Sequence, residues 1–170
     1  MGIKSYNSNF SDTCSIPDGD SVLLTGGFGF NSVVDCDSPG EVSSKVHRYT
    51  QDLGWVEDLP DLKDGRYGHG CASFTMDAEQ VTDHRSSEFI VAFFQIYLVA
   101  GGCGQWQFDL QCLDVQCLEI LASTEVYLEG KWITVEPLPV GVVGVRGATL
   151  DNTVYMTGSY IRITEFLHEA

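Results

Sequence analysis

The chain has 170 residues, of which 44% are hydrophobic, 19% charged and 11% aromatic; this excludes a disordered chain and leaves room for one domain-sized core. Its 24 acidic against 9 basic side chains give a formal charge of −15. That charge argues against nucleic acid and anionic membrane surfaces as partners, because both are held by concentrated Lys and Arg.

The first ten residues, Met1 to Phe10, contain no apolar stretch of the kind an export signal uses, and Tyr6 stands where a myristoylation signal needs Ser or Thr. The sequon Asn9-Phe10-Ser11 has meaning only in an exported chain. Six cysteines (Cys14, Cys36, Cys71, Cys103, Cys112, Cys117) are too sparse for a disulfide scaffold. The expectation is a cytoplasmic protein with reduced, buried thiols.

Next come short apolar runs rich in Val, Ile and Tyr, bounded by Gly, Pro, Asp and Ser, which read as strands. The predicted strands are Thr13 to Ile16, Ser21 to Thr25, Lys45 to Thr50 and Gly54 to Asp58; then Gly68 to Phe74, Ile96 to Ala100, Ser123 to Leu128 and Lys131 to Glu136; then Gly147 to Leu150 and Thr153 to Thr157. The segment Cys112 to Leu121 suits two helical turns or a strand equally. The run Phe89 to Phe94, broken by Gln95 and continued from Ile96 to Ala100, is too short for a bilayer span of about 20 residues.

These strands repeat. Ser21 to Gly27 is matched by Ile96 to Gly102 and, more loosely, by Thr153 to Ser159. After the first glycine pair come Tyr49, Trp55, Leu59-Pro60 and Arg66; after the second come Tyr127, Trp132, Leu138-Pro139 and Arg146. A glycine pair closing a buried strand suits a turn with positive φ and close backbone approach. Arg66 to Gly101 spans 35 residues and Arg146 to Gly158 only 12, so the excess is read as an insertion near residues 76–95.

Glycine doublet, Tyr, Trp, Leu-Pro and then Arg66-Tyr67-Gly68-His69 resembles the kelch repeat. The second copy keeps the doublet, Tyr and Trp but lacks the histidine, and the third has Gly158-Ser159 for the doublet. The resemblance implies an all-β fold of kelch-type β-propeller blades. The kelch-repeat region runs over residues 10–160: blade one 10–62, blade two 66–140 and a partial blade three 144–160, with 161–170 as a tail. About two and a half blades do not close a ring that takes about 4 to 8. A fragment or truncated isoform is favoured over sheets borrowed from another chain, although association with further propeller blades is an open expectation.

The chemistry-bearing motifs are weak. His69-Gly-Cys71 places imidazole and thiol on one face of a strand, but the repeat itself expects a packing histidine there. Cys112 and Cys117 lack the second pair of a zinc site. Gly26-Gly27-Phe28-Gly29 and Gly101-Gly102-Cys103-Gly104 lack the Lys-Ser/Thr and helix of a phosphate loop. No catalytic residue, metal ligand or cofactor is assigned. The expected function is non-catalytic protein–protein interaction, as a substrate-recognition or scaffold fragment with a protein partner of unknown identity. The alternative is a fragment of a copper oxidase propeller related to galactose oxidase. Binding residues are sought on the loops after the doublets, 28–44 and 103–122, where Phe28, Phe30, Trp106 and Phe108 are the candidate anchors.

Overall fold

The computed structural model describes residues 10–29, 41–77, 93–108 and 115–159, and among them every regular element is a β-strand. Two four-stranded antiparallel sheets carry the architecture. The first has the order β2 (Cys14–Asp18), β3 (Ser21–Thr25), β6 (Val46–Thr50), β7 (Gly54–Val56). The second has β8 (Gly70–Asp77), β9 (Phe93–Ala100), β12 (Thr124–Leu128), β13 (Lys131–Val135). A two-stranded unit, β14 (Val143–Leu150) and β15 (Thr153–Ser159), follows. The fold is thus all-β and antiparallel, and among the described residues no sheet closes on itself. Of the insertion read near residues 76–95, residues 78–92 lie outside the described residues, as does the tail 161–170, while its ends belong to β8 and β9 through the pairs Met76↔Phe94 and Asp77↔Phe93.

Tight turns set the registers. Glu129 and Gly130 (φ 52° and 82°) connect β12 to β13, and Asp151 and Asn152 (φ 48° and 59°) connect β14 to β15. Positive φ at both central residues matches the right-handed twist of the strands they join. Each four-stranded sheet carries a cross-strand aromatic pair at the same place. Tyr49 faces Trp55 with ring centroids 5.1 Å apart, and Tyr127 faces Trp132 at 5.5 Å, inclined at 57° and 58°. Such tilted pairs add to the gain from area burial.

The sheets pack face to face. Ile16, Leu23 and Val46 of the first sheet meet Val99, Tyr97 and Trp132 of the second in one buried cluster, and the Trp132 indole N–H donates to the Pro60 carbonyl at 2.9 Å. The opposite face of the second sheet receives the β14–β15 hairpin, with Val145 and Met156 against Gly70.

The repeat is written in backbone hydrogen bonds. Gly26 donates to Lys45 and Gly101 to Ser123; Gly27 donates to Arg66 and Gly102 to Val142; Leu62 donates to Ser44 and Leu138 to Ala122. This corrects the landmark alignment. Val142, not Arg146, occupies the place of Arg66, and Leu138 answers Leu62, not Leu59. Arg146 pairs with Thr157 where Gly70 pairs with Ala100. A side-chain landmark can move along a loop, whereas the strand it leads into must keep its hydrogen-bond register.

The thiol expectation is also corrected: no free cysteine stands among the described residues. Cys14 of β2 is bonded to Cys71 of β8, linking the two sheets across 57 residues of sequence, and Cys103 is bonded to Cys117. Sparse cysteines pair when the fold, not the sequence, brings their Cα atoms within about 6 Å.

Candidate functional site

Both long loops that follow the glycine pairs leave from the same end of their sheets, and both contain strands. β4 (Phe28–Gly29) pairs with β1 (Phe10–Ser11) on one side and with β5 (Glu41–Val42) on the other. β10 (Cys103–Phe108) pairs with β11 (Val115–Ile120), so the ambiguous segment at residues 112–121 forms a strand over its described part. β10 also approaches β5.

Phe28 and Trp106 hold these two excursions together. Their ring centroids lie 5.3 Å apart in an edge contact, Phe28 lies 4.8 Å from Tyr67, and Cys103 and Val143 complete the cluster. Phe28 is 7% and Trp106 3% exposed, so both serve packing between the excursions and offer no outward surface. Phe30 lies outside the described residues, and Phe108 closes β10 through its backbone pairing with Val115. The Cys103–Cys117 bond ties β10 to β11. The outward side of that hairpin carries Gln105, Gln116 and Glu119, with Leu118 47% exposed. Sequence reasoning favoured the large aromatics and passed over Leu118, which only the pleat of β11 marks as outward.

Behind the excursions lies the junction between the sheets, built on Arg66 and His69. Arg66 is fully buried. Its Nη1 donates to the carbonyls of Gly101 and Ser123 at 3.0 Å each, and its Nη2 donates to Ser123 Oγ at 3.1 Å and to Glu125 Oε1 at 2.6 Å. Glu125, equally buried, also accepts from the backbone N–H groups of Lys63 and Asp64 at 2.8 and 3.2 Å. Burial lowers the Arg66 pKa, and the Glu125 charge opposes that shift. Charges this deep are tolerated because each has partners for its remaining donors and acceptors.

His69, 2% exposed, shares a 2.8 Å hydrogen bond between its Nε2 and Thr25 Oγ1 on the first sheet. Burial, with a smaller contribution from the Arg66 charge, lowers its pKa to about 3, so the ring is neutral. The ring and the linker backbone also explain the glycine pairs. A Cβ at Gly26 (φ 65°) would collide with the Arg66 carbonyl and come within 2.7 Å of His69 Cε1. One at Gly102 (φ 98°) would lie 2.8 Å from both His69 Cβ and the Tyr67 carbonyl.

A cavity of about 280 Å³ opens at the same end, lined by Asp12, Cys14, His69, Cys71 and Arg146 among others. The Cys/His pair suggested by the sequence is therefore present in space but has no thiolate: Cys71 is spent in a disulfide and His69 is held neutral by burial. A nucleophile needs the first and a general base needs a pKa nearer the working pH. Among the described residues no group of three or more His, Cys, Asp or Glu is arranged to hold a metal ion. Compared with protein-family models and with curated proteins, the sequence matches none.

Proposed function

We propose that the two four-stranded sheets and the β14–β15 hairpin are successive blades of a kelch-like β-propeller, and that the chain is a non-catalytic protein-binding module. Repetition of the same inter-strand hydrogen bonds at residues 26–66 and 101–142 supports the propeller reading. One observation carries the binding role: two excursions from neighbouring sheets are joined into one platform by the Phe28–Trp106 contact, and the second is cross-linked within itself by the Cys103–Cys117 bond. Loops made rigid by such bracing lose little entropy on binding. Leu118 and its polar neighbours Gln105, Gln116 and Glu119 are the contact surface, in place of the buried aromatics. A charge of −15 favours a protein partner with a basic rim over phosphate backbones or anionic lipid.

The cross-linked cysteines support maturation in an oxidising compartment over the cytoplasm, since disulfides persist where thiols are not held reduced.

Site-specific photo-crosslinking tests the binding role. A crosslinker at Gln105 or Leu118 is expected to capture the same protein, while one at Lys131, beside the turn at the other end of the second sheet, captures none of it. Capture that does not depend on position contradicts the assignment.

A further inference from the structure

The second sheet is covered on both faces, and its two neighbours on one face each. Toward the first sheet it presents Val99 and Tyr97, 0% and 5% exposed. Toward the hairpin it presents Ala72, Ile96 and Ala100, 6%, 3% and 1% exposed. The matching positions elsewhere are open. By register, Val22 of β3, paired with Tyr49, stands where Tyr97, paired with Tyr127, stands in β9; Val22 is 37% exposed. Tyr155, paired with Ala148, stands where Leu23 is paired with Ile16 in the first sheet. Leu23 and Ile16 are fully buried, yet Tyr155 is 55% exposed and nearby Leu150 62%.

The two open faces are complementary halves of one kind of contact. Within the chain, the Ile16–Leu23 face packs against the Tyr97–Val99 face. The Ala148–Tyr155 face is the counterpart of the first half, and the Val22 face is the counterpart of the second. We propose that a second copy of this chain docks head to tail, with the outer face of its first sheet, around Val22, on the outer face of the β14–β15 hairpin, around Tyr155. The contact continues the stacking the chain already makes twice, and each copy carries both halves. It is heterologous, because different surfaces meet. At −15 per copy, long-range repulsion opposes it, so association strengthens as salt screens that charge. The inference rests on the equivalence of faces and not on the platform as a protein-binding surface. A monomeric chain that still crosslinks a partner from Leu118 would defeat this inference alone.

Sedimentation equilibrium on the full chain with its disulfides intact is the test. The expected result is self-association that tightens with salt and weakens by about tenfold or more in either Val22→Asp or Tyr155→Asp. An equimolar mixture of the two variants recovers one intact contact and forms mixed pairs, which a contact between two identical faces would not do. Leu53→Asp, at a 74% exposed turn residue, leaves association unchanged. All three substitutions are at exposed positions, and near-UV circular dichroism checks that each variant is folded. A monomer at every salt concentration overturns the proposal. So does an equal loss with Leu53→Asp, or variants that fail to complement each other.

Discussion

The two inter-sheet junctions have the same backbone and different chemistry. In the first, Arg66 and His69 lie between the first and second sheets. In the second, Val142 and Val145 lie between the second sheet and the hairpin. Gly26 would collide with the Arg66 carbonyl and His69 just as Gly101 would with the Val142 carbonyl and Val145. One junction holds a buried ion pair, a neutral imidazole and an inter-sheet disulfide; the other is apolar. The repeat therefore lives in the hydrogen-bond frame and the positive-φ glycines, and side chains vary within it, polar in one junction and apolar in the other.

That contrast can be broken in graded steps. Removing one member of the ion pair has the largest expected effect: Glu125→Leu leaves the buried Arg66 with only the half-exposed Asp64 carboxylate, 3.6 Å away, to offset its charge, at a cost of about 4 kcal/mol in urea unfolding. The double variant Arg66→Met/Glu125→Leu recovers much of that loss, as the apolar second junction implies. Opening the inter-sheet disulfide with Cys14→Ser/Cys71→Ser costs about 3 kcal/mol through the freedom regained by the unfolded chain. The substitution should leave the Phe28–Trp106 cluster intact, which Trp fluorescence reads.

His69 makes the first junction sensitive to acid and the second not. Its folded pKa of about 3 lies below its ordinary 6.5, so below pH 6.5 the unfolded chain takes up a proton that the folded chain refuses. Stability from this group is complete above about pH 6.5 and is lost as pH falls toward 3, amounting to about 2 kcal/mol by pH 5. The pH slope between 6.5 and 5 should flatten in His69→Gln. Val145→Ala, at the equivalent position of the other junction, costs about 1.5 kcal/mol of burial and leaves the slope unchanged. Equal slopes in the wild-type chain and His69→Gln would remove the imidazole from this account.

Much of the sheet structure was legible. β3, Ser21–Thr25, has the predicted bounds, and the recurring Tyr and Trp landmarks sit opposite each other on paired strands in both sheets, Tyr49 against Trp55 and Tyr127 against Trp132. Apolar alternation and turn residues encode such strands locally. What was not legible depends on distance through space. β4 and β5 are two residues long, too short to show any alternation. Arg66 and Glu125 are 59 residues apart, and nothing near either announces the other. Cys14 and Cys71 pair because β2 and β8 are neighbours in adjacent sheets. Of the candidate anchors, Phe28 and Trp106 lie between the two excursions, 7% and 3% exposed, because large apolar side chains on long loops fold inward when a second loop is there to cover them.

The stacking of the first sheet on the second, with the excursions braced above them, is tested most directly by mapping disulfides in the unreduced, proteolysed chain by mass spectrometry. The account predicts one cross-linked peptide joining Cys14 to Cys71 and another joining Cys103 to Cys117. Free thiols at Cys14 and Cys71, or a bond from either to Cys103 or Cys117, would contradict it.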